Sequence, residues 1–258
     1  MIFYLMSLTK FTNTEILVNS SNELKKVVKK QKNHIKELVE SEEYQQLPAV
    51  DKRNKFQYSI RKTWRTYDYI GMFIISMGVG KSKIIAKSIN DYKKHFTNTT
   101  SDLEILILVN SSTLRDTGLP NELVKWGAIG GKSVKIECYQ WLLHNKEIFK
   151  SNIGLLICDE IDVALSPAFG KAVNKLKAEC KLFLTGTLSD AKRELLKQFK
   201  NFPPILYEYG IQKAQQDGLI NKMKILLHEV PLDIRKNVTF EVQGKKFVKS
   251  EKDRKSVV

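Results

Sequence analysis

The stretch from Gly71 to Ile89, GMFIISMGVGKSKIIAKSI, constrains the fold more than any other part of the chain. Met72 to Ile75 is a short apolar run of the kind shown by a parallel strand buried on both faces. It leads into Ser76-Met77-Gly78-Val79-Gly80-Lys81-Ser82, then into Ile84, Ile85, Ala86 and Ile89 at helical spacing. Strand, glycine loop, Lys-Ser and helix in that order are the context of a phosphate-binding loop. Glycines let backbone N–H groups turn inward on an anion, and the helix N-terminus adds roughly half a positive charge. Met77, Gly78, Val79 and Gly80 would form the cradle, Lys81 would reach the β- and γ-phosphates, and Ser82 would ligate Mg²⁺. The pattern GxxxxGK[ST] wants glycine at position 75, where this chain has Ile75. A glycine turn with a solvated lysine is therefore the alternative reading of the loop taken alone.

The 258 residues suffice for one large domain or a domain with an appendage. A hydrophobic content of 42% supports a real core and excludes global disorder. The formal net charge of +15 points to a polyanionic partner, with a merely lysine-rich surface as the plainer alternative. Cys138, Cys158 and Cys180 lie too far apart for a disulfide framework or a zinc site. Met1 to Met6 is apolar but lacks a basic flank, and no run approaches the ~18–20 apolar residues of a membrane span. The expected setting is a reducing cytoplasm, with no membrane partner.

Residues 1–50 read as a helical N-terminal extension, with Asn22 to Tyr44 charged and helical and Leu47-Pro48 marking a boundary. Asp51 to Tyr69 reads as a helix entering the first core strand. Gln57 lies on it, 24 residues before Lys81. Its amide can pair with both a donor and an acceptor on adenine, or it is an ordinary exposed glutamine. A second buried run, Ile105 to Val109, ends in Asn110-Ser111-Ser112-Thr113-Leu114. Those side chains suit phosphates at a strand's C-terminal edge; a capping turn is the simpler reading. Val134 to Tyr139 is a third strand, followed by a helical Gln140 to Phe149. Ile153 to Cys158 then delivers Asp159-Glu160-Ile161-Asp162 at a strand end, about 78 residues after Lys81. Carboxylates there are expensive to bury unless they hold a cation or a water. Asp159 is placed to hold Mg²⁺ opposite Ser82, and Glu160 to polarise an attacking water. A fifth run, Lys181 to Leu184, ends in Thr185-Gly186-Thr187, hydroxyls where a γ-phosphate sensor would sit. Asp190 to Phe199 is helical, Ile205 to Tyr207 a sixth strand, and Ile211 to Gly218 a short helix. Beyond Ile225 the chain is basic and strand-like, with Gln243-Gly244 as a hairpin turn.

Alternating strands and helices, each strand ending in a polar cluster, argue for an α/β fold. The expected form is a doubly wound, mostly parallel sheet with its site on one edge. In these residues the chain resembles the first RecA-like domain of superfamily 2 DExD/H-box helicases. It resembles in particular the branch of phage recombination helicases and restriction-enzyme motor subunits. Ser76 to Ser82 is similar to motif I, whose family form often starts with alanine. Val109 to Leu114, with Trp126, resembles motif Ia, which implies DNA-backbone contacts at Ser111, Ser112 and Thr113. Tyr139-Gln140 resembles the segment before motif II, Asp159 to Asp162 resembles motif II, and Thr185-Gly186-Thr187 resembles motif III, which couples ATP to strand movement. Tyr207 to Tyr209 and Asp217 to Ile220 resemble the segment leading to a second RecA-like domain.

The resemblance covers roughly residues 50 to 230. With the helical extension read over 1–50, it implies an ATP-binding domain over 51–225, leaving a basic tail or the start of a second domain over 226–258. It further implies ATP and Mg²⁺ as ligands, DNA rather than RNA as partner, and ATP-dependent helicase or translocase activity. The residues after Leu226 do not supply the second RecA-like domain with its arginine finger. The expectation is a fragment, or a partner chain carrying the other half. A nucleotide-gated nucleic-acid-binding module without motor activity is the alternative, and a small-molecule kinase a further one, against which stands the lack of an arginine-rich lid.

Overall fold

The computed structural model describes residues 35–96, 103–128, 134–221, 239–242 and 245–248. The chain divides into two compact units, Met1–Asn221 and Lys222–Val258. In the first, residues 35–40 are helical and are followed by α1 (Glu42–Gln46) and α2 (Ala49–Thr66). Then come β1 (Ile70–Ile75), α3 (Lys81–His95), β2 (Leu103–Val109), a π-helical turn (Leu114–Gly118), α4 (Leu119–Lys125) and β3 (Val134–Cys138). After these run α5 (Trp141–His144), a 3-10 turn (Lys146–Phe149), β4 (Asn152–Cys158), α6 (Ile161–Ala164), α7 (Pro167–Lys175) and β5 (Lys177–Thr185). The unit ends with α8 (Asp190–Leu196), β6 (Ile205–Tyr209) and α9 (Ile211–Gln216).

The six strands form one parallel sheet in the order β3-β2-β4-β5-β1-β6. The chain runs outward from β1 to β2 and β3, then returns to lay β4 and β5 between β2 and β1. All strand C-termini therefore share one edge, and the reversal opens a crevice there, where α/β sheets bind ligands. Alternation along each strand divides the core. Phe73, Ile75, Ile105, Ile107, Val109, Leu155, Ile157, Leu182 and Leu184 pack with α2, α3 and α4. Met72, Leu106, Leu108, Leu156, Cys158 and Phe183 pack with α5, α6 and α7. The sheet is covered on both faces, the doubly wound arrangement expected from the sequence.

Residues 35–46 belong to the first of these layers: Ile35, Val39 and Tyr44 are buried beside Phe56, Ile60 and Trp64 of α2. Trp64 is fully buried, and its Nε1 donates to the Lys181 carbonyl of β5 at 2.9 Å.

Some element bounds differ from the sequence reading. The helix expected to reach Tyr69 stops at Thr66, because Asp68 and Tyr69 take left-handed backbone angles (φ 49° and 62°). That turn brings the Tyr69 ring edge-on to Trp64, with centroids 4.9 Å apart. The helix expected over Gln140 to Phe149 breaks at Asn145, whose Nδ2 donates to the Trp141 carbonyl at 2.9 Å and closes α5. Helix α7 and the first residues of β5 were not expected. In the second unit, β7 (Thr239–Val242) pairs antiparallel with β8 (Lys245–Val248), and Val242 lies opposite Lys245. That register fits the expected hairpin, whose turn residues lie outside the described residues. So do the first part of the helix expected from Asn22 and the C-terminal tail.

Among the described residues no helix is long and apolar enough to cross a membrane.

Candidate functional site

The glycine loop leaves the C-terminal end of β1 and returns the chain into α3. Its start is tied to the sheet by Ser76 N–H donating to the Tyr209 carbonyl at 3.0 Å. Gly78 and Gly80 hold φ values of 82° and 94°, a region that side chains disfavour. At Gly78 a Cβ would lie 2.9 Å from Ile220 Cγ2, and at Gly80 it would overlap the Gln57 amide. Val79 is fully buried under the loop, whereas Met77 is 70% exposed above it. Lys81 and Ser82 form the first turn of α3, so the N–H groups of this 15-residue helix point into the crevice.

Across the crevice, β4 delivers Asp159 and Glu160. Asp159 is pinned through its backbone: its N–H donates to the Leu108 carbonyl and its carbonyl accepts from the Tyr139 hydroxyl, both at 2.9 Å. Tyr139 is buried at the end of β3, and burial holds its phenol well above the usual value. Glu160 sits in the left-handed region at φ 50°, which turns its side chain toward the loop. Glu160 Oε1 meets Lys81 Nζ at 2.6 Å, and Oε2 accepts from Gly186 N–H at 3.2 Å. Loop, acidic pair and the Thr185-Gly186-Thr187 segment thus converge. The strand order explains the meeting, since β5 lies between β1 and β4. At Gly186 an added Cβ would touch both Lys81 Nζ and Met77 Cγ at 3.4 Å.

The electrostatics mark Asp159. Burial pushes its carboxyl up to about 6, with Lys81 pulling it down and Glu160 pushing it up. Asp159 Oδ1 is shielded from solvent and has no hydrogen-bond partner among the described residues. A buried carboxylate oxygen without a partner is costly, and a cation removes that cost.

The remaining expected residues fall around this centre. Gln57 is buried on α2, and its Nε2 donates to the Val79 carbonyl at 2.8 Å, so the amide supports the loop from beneath. Its Oε1 is shielded and has no hydrogen-bond partner among the described residues. Ser111, Ser112 and Thr113 follow β2 at the same sheet edge. Ser111 Oγ accepts from Leu114 N–H at 3.3 Å, as a capping side chain does, while Ser112 and Thr113 are exposed.

Two residues were not among the expected site residues. Asp162 Oδ1 lies 2.8 Å from the Thr185 hydroxyl, and its Oδ2 accepts from Lys192 Nζ at 3.0 Å. Asp162 was visible within the acidic run. Nothing in the sequence marks Lys192, which reaches the site because α8 folds back over the end of β5.

No family model matches the chain, and no curated protein does. Solved structures with similar folds are helicase and SWI2/SNF2-type ATPase cores. The SWI2/SNF2 ATPase core of Sulfolobus solfataricus in complex with dsDNA is 17% identical, over 59% of this chain and 35% of that one, with a TM-score of 0.44. The UvsW helicase of bacteriophage T4 is 21% identical, over 54% of each chain, with a TM-score of 0.42. A nuclease-deletion mutant of the Type ISP restriction-modification enzyme LlaGI, bound to a DNA substrate mimic, is 17% identical. It covers 64% of this chain and 20% of its own, with a TM-score of 0.48. This chain spans between a fifth and about half the length of these proteins.

Proposed function

We propose that residues 51–225 form the first RecA-like domain of an ATP-dependent DNA helicase or translocase, which binds and hydrolyses MgATP and contacts nucleic acid. The observation that carries this reading is the convergence of Lys81, Glu160 and Gly186 N–H beside the unpartnered Asp159 Oδ1.

In this reading the N–H groups of Gly78 to Ser82 and the α3 N-terminus receive the phosphates, and Lys81 neutralises their charge. Ser82 and Asp159 hold Mg²⁺, a role supported by the shielded oxygen of Asp159. Among the described residues no three acidic, histidine or cysteine side chains gather into a protein-only cage. That suits an ion taking its other ligands from phosphate and water. Bound Mg²⁺ supplies neutralisation of charge on the β- and γ-phosphate oxygens. A phosphate drawn to Lys81 competes with Glu160 for the ammonium, leaving the carboxylate to accept a proton. Glu160 then orients a water in line with the γ-phosphorus. As the new O–P bond forms and the β–γ bridge breaks, the water's proton passes to Glu160 and ADP leaves with the bridging oxygen.

Gly186 N–H reports the position of Glu160, and Thr185 passes it to Asp162 and Lys192. Ser111, Ser112 and Thr113 contact the nucleic-acid backbone from the same edge. A second RecA-like domain supplies the arginine that completes the site.

The test is ATP hydrolysis by the purified protein with and without single-stranded and duplex DNA, beside Glu160→Gln. DNA-stimulated turnover lost in the variant is the expected result. ATP binding that gates DNA affinity without turnover would replace the motor by a nucleotide-gated binding module.

A further inference from the structure

The solvent-facing stripes of α2 and α3 run side by side. Asn54, Tyr58, Arg61 and Arg65 on α2, and Lys83, Lys87, Asn90 and Lys94 on α3, recur at i, i+4, i+7 and i+11. That spacing keeps residues on one helix face, and every one of them is half-buried or exposed. Side-chain contacts join the stripes into one surface. Lys83 Nζ donates to Asn54 Oδ1 at 2.6 Å, and Arg61 and Arg65 reach Asp91 at 2.6 and 3.7 Å. Between the helices lies an open depression of about 550 Å³, lined in part by Arg61, Lys87 and Lys94. Trp126, after α4, extends the surface: its carbonyl accepts from Lys87 Nζ at 3.2 Å, and Lys83 Nζ lies 4.4 Å from its ring centroid.

The charge of this face is one-sided. The stripes carry Arg61, Arg65, Lys83, Lys87 and Lys94, and the carboxylates beside them are Asp91 and, next to Trp126, Glu122, which accepts from the Trp126 Nε1. Asp91 is already shared by two guanidinium groups. Burial, and then repulsion from Lys87, Arg61 and Arg53, holds the Lys83 ammonium below its usual value. Such a cluster is relieved by an anion that spans several cations at once.

We propose that the α2–α3 face, extended by Trp126, binds the phosphodiester backbone of a nucleic acid. Apart from Trp126, which the resemblance groups with Val109 to Leu114, its residues differ from those proposed to contact nucleic acid at Ser111 to Thr113. Arg61 and Arg65, and Lys83 and Lys87, stand one turn (about 6 Å) apart, and Lys94 lies two turns beyond Lys87, an extended set of cations that suits a regularly charged polymer. It suits the scattered carboxylates of a folded protein less well. A lipid surface would call for apolar side chains to insert, but the exposed ring here, Tyr58, is engaged by Arg61 and Arg65 at 5.7 Å. The contact is to phosphate rather than to bases, so it carries affinity and salt dependence without sequence preference. Only Lys83, in the first turn of α3, adjoins the proposed ATP site; Arg65, Lys87 and Lys94 lie further along the two helices, and the contact holds whether or not that site turns over nucleotide.

The experiment is fluorescence anisotropy of a labelled mixed-sequence DNA duplex over a salt series, with the wild-type protein and the triple variant Arg65→Gln/Lys87→Gln/Lys94→Gln. The variant is expected to lose affinity on the order of tenfold at low salt. The slope of log affinity against log salt should shrink by about 3, roughly one per cation removed. ATP-dependent thermal stabilisation should be unchanged. Equal affinity and slope in the two proteins would overturn the proposal, as would binding to phosphatidylserine vesicles with none to DNA. A second measurement needs no variant. DNA should protect Lys87 and Lys94 of the wild-type protein from an amine-acetylating reagent, and unaltered labelling would refute the contact.

Discussion

Asp159 concentrates the chemistry of the site in one side chain. Its carboxyl, pushed up to about 6 by burial, keeps its proton in the folded chain at pH values where an unfolded aspartate has lost it. Between about pH 4 and 6 the native state therefore binds more protons than the unfolded one, and the contribution of Asp159 to stability falls as pH rises through that window. Its capacity to ligate a cation changes in the opposite sense, since the protonated form gives up the negative charge. Mg²⁺-dependent ATP affinity is expected to weaken as pH drops below about 6. Calorimetric titration across that range checks this. In Asp159→Asn, Mg²⁺ should add little to nucleotide affinity at any pH. The Lys81–Glu160 pair, at 2.6 Å and mostly shielded, belongs to the same balance: each charge makes the other affordable in a half-buried crevice.

At the scale of elements, the sheet is braced by α2. Trp64 fills the space beneath β1 and β5 and ties itself to the Lys181 carbonyl. Trp64→Ala should cost about 3–5 kcal/mol, read from urea unfolding, through the large cavity it leaves. The strands were legible because burial on both faces makes them continuous apolar runs, as in Met72 to Ile75 and Ile153 to Cys158. Their order was not, since crossovers set it and no residue within a strand encodes its neighbour.

Helix α7 was hidden by Gly170, a poor helix residue. The structure explains the glycine: a Cβ there would overlap the Phe199 ring. That Lys81, Asp159 and Glu160 would meet at one sheet edge was legible because a loop after one buried strand and an acidic pair after another both fall at strand C-termini. The Asp162–Thr185–Lys192 network was not, because it joins residues 23 and 30 apart through the adjacency of β4 and β5 and the return of α8. Gln57 was read as an adenine contact or an ordinary exposed glutamine; the structure buries it, so the exposed reading does not hold, and its amide holds the Val79 carbonyl from beneath.

At the scale of the molecule, two features are superposed on one α/β layer. The C-terminal edge of the sheet gathers a glycine loop and two carboxylates, and the α2–α3 face gathers more cations than the carboxylates Asp91 and Glu122 beside it. The net charge of +15 hinted at the second feature, but the alignment of two helical stripes gives it a location. The central claim is that the crevice between the glycine loop and Asp159-Glu160 is a MgATP site. Its most direct test is the thermal unfolding midpoint with and without saturating MgATP, for the wild-type protein and Lys81→Ala. The account predicts a clear rise in the wild type, as a ligand specific to the folded state produces, and none in the variant. Equal stabilisation of both proteins, or of neither, would contradict it.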